Sequence, residues 1–297
     1  MKTKVEYASF QISDIGSNYY VANKLFELQK KHPEFFIDGV KLETVFGSWP
    51  SAIWQGERPY CGYTPFKTIK KKIKDLNKND AGIYYTFNNR SLESTDIYDN
   101  YCNKIMKESN NEKNIVEVYD DNLEKYIREK YKKVKISKRI TEANFDEIND
   151  NKYDYYVLDT IFNDDYDKLS TIKHPEKVII VLNDYFMKGD PKVEEFLNKV
   201  SKAVKNLEGE LKFDIDRYFS FEEMIESDNL VKYYQVGKLL QLGISHFRIE
   251  GRNSAIQYFY IPCLFYYLIQ EEYKNEVFNY IKEAFFSPLN ETEKNIL

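Results

Sequence analysis

The chain is poor in the residues that staple, chelate or break a fold. Of 297 residues, 3 are cysteine, 3 histidine, 8 proline and 11 glycine. Cys61, Cys102 and Cys263 stand far apart and form no Cys-x-x-Cys pair, which argues against a disulfide framework or a cysteine zinc site. So few Gly and Pro argue against a collagen-like or low-complexity chain. The most apolar stretch, 258–269, contains Pro262 and is too short to span a bilayer. Residues 1–10 hold no apolar signal core, so the expectation is a soluble cytoplasmic protein with no membrane partner. An excess of positive charge is missing too. The 43 Lys+Arg against 48 Asp+Glu give a formal net charge of -5, not the footprint of a general nucleic-acid binder. Phosphate-loop, Gly-x-Ser-x-Gly, His-Glu-x-x-His and dinucleotide-glycine motifs are all absent. That counts against nucleotide hydrolysis, serine-hydrolase and zinc-protease chemistry, but not against an enzyme whose site is assembled from scattered residues.

What is present is a rhythm. The 26 Tyr and 20 Phe supply a large core. Short apolar or β-branched runs, each followed by a polar turn and a helix-like stretch, recur at 5–11, 39–46, 82–88, 114–119, 133–137, 153–159, 177–182 and 245–250. Helix spacing is clear in 18–31 and 64–76, where Phe66, Ile69, Ile73 and Leu76 share a face. Asp190 and Pro191 read as an N-cap and first helical residue, and Val193, Phe196, Leu197, Val200 and Val204 follow at helical spacing. The predicted class is α/β: a (β/α)8 TIM-type barrel over 1–297 as one domain, with an insertion at 184–243 between strands seven and eight. A doubly wound open sheet is the alternative, but it usually opens on a Gly-rich turn that this chain lacks.

In such a barrel the active site lies where strands end. Polar residues gather there: Glu57 and Arg58 in the second loop, Asn88 after strand three, and Ser137, Lys138 and Arg139 at strand five. Asp159 with Asn163 follows strand six, Asn183 and Asp184 strand seven, and Glu250 and Arg252 strand eight. Asp, Asn and Ser also cap helices, so the simpler reading of Asp121 and Asp184 is that they are no more than caps. Lys138, Arg139, Glu250 and Arg252 cannot cap, and they suit an anionic or hydroxyl-rich ligand. The only two tryptophans, Trp49 and Trp54, sit in the second loop and read either as pocket walls or as a packed cover over the mouth. The lysine run from Lys67 to Lys78 reads as a solvated helix face. His246 reads as a buried, hydrogen-bonded histidine rather than a general base.

The segment Leu239-Leu240-Gln241-Leu242-Gly243-Ile244-Ser245-His246-Phe247-Arg248-Ile249-Glu250-Gly251-Arg252 resembles the signature of the collagenase-like peptidases of unassigned mechanism (peptidase family U-thirty-two). Arg248 stands where the family's pattern has lysine; Ile249, Glu250, Gly251 and Arg252 match. The resemblance implies a barrel-like catalytic domain, with relatives linked to peptidase activity or to oxygen-independent hydroxylation of tRNA, ribosomal RNA or ubiquinone precursors. The hydroxylating relatives hold an iron–sulfur cluster on four cysteines. This chain lacks those cysteines and resembles a divergent, cluster-free member, so no cofactor is predicted and a divalent metal is left open.

Two functions compete. The first is a hydrolase-type or hydroxylase-type enzyme acting on a polar or anionic small molecule or modified biomolecule at the barrel mouth. Glu250, Asp159 and Lys138 would be catalytic, and Arg252, Asn88, Asn183, Ser137, Glu57, Arg58, Trp49 and Trp54 would bind the ligand. The second is a non-catalytic binding subunit of a hydroxylase-type or RNA-modification complex, with a protein partner. Direct RNA binding is not expected from the acidic balance.

Overall fold

The computed structural model describes residues 7–58, 62–184, 186–206, 208, 220–251 and 256–282. The strands are β1 (Ala8–Ser13), β2 (Val40–Gly47), β3 (Gly82–Phe87), β4 (Ile115–Val118), β5 (Lys135–Ile140), β6 (Tyr155–Leu158), β7 (Val178–Asn183) and β8 (His246–Ile249). They pair in sequence order, all parallel, and β8 pairs with β1 to close the barrel. The helices are α1 (Tyr19–Lys31), α2 (Phe66–Lys78), α3 (Asn100–Ser109), α4 (Asp121–Lys130), α5 (Tyr166–Ser170), α6 (Lys192–Lys205), α7 (Phe221–Ile225), α8 (Tyr233–Gln241), α9 (Ile261–Leu268) and α10 (Lys274–Ile281). Between β5 and β6 the crossover is a 3-10 segment, Glu142–Asn149, in place of an α-helix. The closed parallel barrel with alternating helices is the predicted (β/α)8 architecture, and among the described residues three helices stand between β7 and β8 where most of the other crossovers have one.

Side-chain alternation along each strand divides the interior into two regions. Outward residues such as Phe10, Ile12, Val116, Phe247 and Ile249 join the helices in the main core. Inward residues form a small separate apolar cluster of Phe46, Tyr84, Ile115, Val157, Ile179 and Val181. The rest of the lumen is polar. Arg248, on β8, is 2% exposed and reaches across to Glu117, on β4, with Nη1 3.2 Å from Oε2. With neighbouring strands paired in order around the ring, β4 and β8 lie on opposite sides, so this ion pair spans the barrel. The guanidinium lies over the rings of Tyr84 (4.2 Å) and Phe46 (4.7 Å), and Nε donates to Gln11 Oε1 on β1 at 3.0 Å. Glu117 also accepts from the Tyr84 hydroxyl (2.9 Å) and from Asn88 Nδ2 (3.0 Å).

At the N-terminal end of the lumen, His246 Nδ1 lies 2.9 Å from Glu43 Oε2, with the Tyr155 ring edge-on to the imidazole. Burial pushes the Glu43 carboxyl up, but the hydrogen bond and charge of His246 outweigh it and hold the group below the usual carboxylate range. This is the hydrogen-bonded histidine expected from the sequence, far from the strand ends that build the mouth.

Glycine is required where β8 leaves the barrel. A Cβ at Gly251 would stand 2.1 Å from the Tyr260 ring, and the Tyr260 hydroxyl donates to the Ser13 carbonyl, tying this turn to β1.

Removing one member of the lumen pair leaves a buried charge without its partner. Glu117→Ala is expected to lose about 3–5 kcal/mol of unfolding free energy in urea titrations, and Glu117→Leu with Arg248→Met to recover most of it. A single variant as stable as the parent contradicts the assignment.

Candidate active site

The strand ends carry a connected line of charges. Arg139, at the end of β5, lies with Nη1 3.3 Å from Glu57 Oε1 and Nη2 3.6 Å from Asp159 Oδ2. Glu57 Oε1 also accepts from Asn88 Nδ2 at 2.6 Å, and that same amide bonds Glu117. Arg58 Nη2 stands 3.7 Å from Glu250 Oε2, and both side chains are buried. The network therefore runs from the lumen pair to the mouth and joins four strand ends and the second loop.

Three cavities open on this line, and Arg139 and Leu197 border all of them. A deep notch of about 30 Å3 is bordered by Glu57, Arg58, Asp184, Arg248 and Glu250. On one side lies a cavity of about 390 Å3 bordered by Asn88, Arg90, Glu117, Tyr119 and Lys138. On the other lies one of about 620 Å3 bordered by Asp159, Thr160, Asp184, Phe186 and Asp190.

Asp184 is the group with the altered chemistry. It is partly buried just past the end of β7. Burial, with the charge of Glu250 second, pushes its carboxyl up to about 6, against the pull of the Phe186 backbone N–H and of Arg58 and Arg139. The capping role expected for it does not hold for α6. Asp184 Oδ1 accepts from Phe186 N–H at 3.1 Å within a local turn, and α6 begins only at Lys192.

Helix α6 and the described residues before it border these cavities. Helix α6 lies over the loops after β2 and β3: Ser201 Oγ donates to the Gly56 carbonyl (3.2 Å), and Asn89 Nδ2 donates to the Ser201 carbonyl (2.9 Å). A Cβ at Gly56 would sit 2.5 Å from Asn89 Cα and 2.7 Å from Ser201 Oγ, so the glycine permits the approach. Arg90 pairs with Glu194 on the same helix, and Val193 and Leu197 face the notch. The expected cap is displaced by one residue: α6 begins at Lys192 with Pro191 at the cap position, and Asp190 accepts from Lys192 N–H at 2.9 Å just before it.

The expected site residues separate into two groups. Glu250, Glu57, Arg58, Asn88, Asp159 and Lys138 border the cavities. Lys138 is a rim residue, its ammonium 4.0 Å from Asp121, while Asp159 also accepts from Ile161 N–H at 3.2 Å. Asn183 and Ser137 serve the frame instead. Asn183 Nδ2 donates to the Glu250 carbonyl (2.9 Å) and its Oδ1 accepts from Glu250 N–H (2.8 Å), pinning β7 to the end of β8. Ser137 Oγ lies 2.7 Å from the Tyr84 hydroxyl inside the lumen.

Trp49 and Trp54 border none of the described cavities and are fully buried in the outer core. Trp54 packs edge-on against Phe87 and Tyr126 and donates Nε1–H to the Asp96 carbonyl (2.8 Å). Trp49 lies under Lys72 beside α2. The loop uses its aromatics as packing rather than as pocket walls. Arg252 lies outside the described residues, as does Cys61.

Sequence reasoning passed over Glu117 and the lumen role of Arg248. A charge at an inward position of an otherwise apolar strand was the available signal. Among the described residues the cysteines do not fit an iron–sulfur cluster: Cys102 and Cys263 sit on α3 and α9, after β3 and β8, and burial pushes both thiols up, opposite to what cluster thiolates need.

No family model matches the chain, and no curated protein does. Among solved structures, a U32 peptidase is similar over 86% of this chain and 97% of its own, at 10% sequence identity and a TM-score of 0.49.

The raised Asp184 carboxyl makes a stability prediction that needs no substrate. The folded state holds this proton more tightly than the unfolded chain, so the parent loses stability as pH rises from 3.8 to about 6. Asp184→Asn escapes that loss. It should match the parent near pH 4 and exceed it near pH 7 by up to about 3 kcal/mol in denaturant titrations. A difference that does not grow with pH contradicts the assignment.

Proposed function

We propose that the protein is a carboxylate-pair acid–base enzyme, a hydrolase in reaction class, that works on a polar substrate at the C-terminal mouth of the barrel without an iron–sulfur cluster. The observation that carries this reading is the Asp184 carboxyl, pushed up to about 6 beside Glu250 in a notch bordered by Arg58 and Arg139. A carboxyl poised there keeps a proton in mildly acidic solution and is suited to hand it to a leaving group. Glu250, against Arg58, is the base that takes a proton from the attacking water. Two carboxyls in unlike surroundings thereby divide the acid and base roles.

The side cavities receive the parts of the substrate on either side of the reacting bond, with Asn88, Lys138 and Asp159 on their walls. Asp121, Glu142, Glu147, Asp190 and Glu194 add negative charge around these cavities. Of the two substrate types expected from the sequence, this balance favours the polar over the anionic one. The resemblance of the β8 segment to the collagenase-like peptidases supports a catalytic rather than a purely binding role.

The test is hydrolysis of a fluorogenic panel of esters, amides and glycosides. In the parent, kcat/KM should fall as pH rises through about 6. Asp184→Asn and Glu250→Gln should each lower kcat by about 100-fold or more with the thermal transition retained. Full activity in either variant sinks the role assigned to that residue.

A further inference from the structure

The notch has a donor at its floor that the acid–base pair does not use. Arg248 lines it, is 2% exposed, and has its Nε committed to Gln11 and its Nη1 to Glu117. Its Nη2 has no hydrogen-bond partner among the described residues, nor does the adjacent Gln11 Nε2. Buried N–H groups are nearly always matched by an acceptor, so an unmatched guanidinium nitrogen on a residue that borders a cavity marks a place for one.

The size and charge of the notch restrict that acceptor. At about 30 Å3 the notch has room for one or two water-sized atoms. Each guanidinium around it already faces a carboxylate: Arg58 faces Glu250, Arg139 faces Glu57 and Asp159, and Arg248 faces Glu117. With Asp184 added, carboxylates outnumber guanidiniums, and an incoming carboxylate would be repelled. A neutral oxygen satisfies the donor without that repulsion.

We infer that the floor of the notch is a seat for a neutral carbonyl or hydroxyl oxygen of the substrate, held by Arg248 Nη2 beneath the Asp184–Glu250 pair. Arg248 is then a substrate-positioning residue, and the group that enters the notch is uncharged. This inference rests on the acid–base reading of the same site and extends it to the chemistry of the substrate's reacting end.

Acetamide and acetate, which differ in charge at nearly constant shape, are the probes. The full chain labelled with 15N-arginine is titrated with each in the parent, Arg248→Lys and Asp184→Asn, and crystals of the parent are soaked in each. Acetamide should shift the Arg248 Nη signals saturably and place its oxygen within hydrogen-bond reach of Nη2. Acetate should bind at least tenfold more weakly. Arg248→Lys should weaken acetamide binding at least tenfold, and Asp184→Asn should leave it unchanged. Should the lysine variant fail to fold, the parent's own Arg248 signals still decide. Acetate binding as well as acetamide overturns the neutral seat, and the absence of a saturable shift with either probe overturns the seat itself. Unchanged acetamide binding in an Asp184→Asn variant that keeps full activity would defeat the acid–base reading while leaving the seat standing.

Discussion

The ion pair between Arg248 and Glu117 is the constraint on which the rest of the molecule depends. Taking two charges out of water is costly unless their remaining hydrogen-bonding capacity is met. The lumen meets most of it with Tyr84, Asn88, Gln11 and the faces of two aromatic rings, and leaves Arg248 Nη2 unmatched among the described residues. Because β8 and β4 face each other across the barrel, the pair fixes the separation of opposite walls. Asn88 then carries the network from Glu117 to Glu57, and Arg139 carries it on to Asp159. The lumen below and the mouth above are thus one connected polar structure, and the orientation of Glu250 follows from how the end of β8 is held.

That end is held from three sides. Asn183 clamps the Glu250 backbone with both polar atoms of its amide, Arg58 faces the carboxylate, and the Tyr260 ring fills the space that a side chain at Gly251 would need. Helix α6 closes the site from above through Ser201, with Val193 and Leu197 facing the notch. Burial, with the charge of Glu250 second, is the physical origin of the high Asp184 carboxyl. Helix α6 therefore borders the cavities at the mouth rather than standing apart from the barrel.

The barrel was legible because burial on both faces leaves near-continuous apolar strands. The run predicted at 39–46 is β2, Val40–Gly47, and that at 177–182 is β7, Val178–Asn183. The mouth was legible because topology dictates where strand ends meet, and Glu57, Arg58, Asn88 and Glu250 do border the cavities there. The tryptophans were misleading because scarcity and a nearby turn do not reveal which way an indole points. Asn183 and Asp184 are adjacent and chemically alike, yet one clamps backbone and the other borders the notch, since successive residues face opposite ways where a strand ends. Glu117 stood in plain view within Ile115-Val116-Glu117-Val118, but its significance depends on a residue 131 positions away in the chain.

The central claim is that Asp184 and Glu250 are electrostatically coupled at the mouth and that burial, together with the charge of Glu250, sets the proton affinity of Asp184. The most direct measurement is a 13C-carboxyl NMR titration of Asp184 in the parent and in Glu250→Gln. The account predicts a midpoint near 6 in the parent and a clearly lower midpoint once the Glu250 charge is gone. A midpoint near 3.8 in the parent, or one that Glu250→Gln does not move, would contradict it.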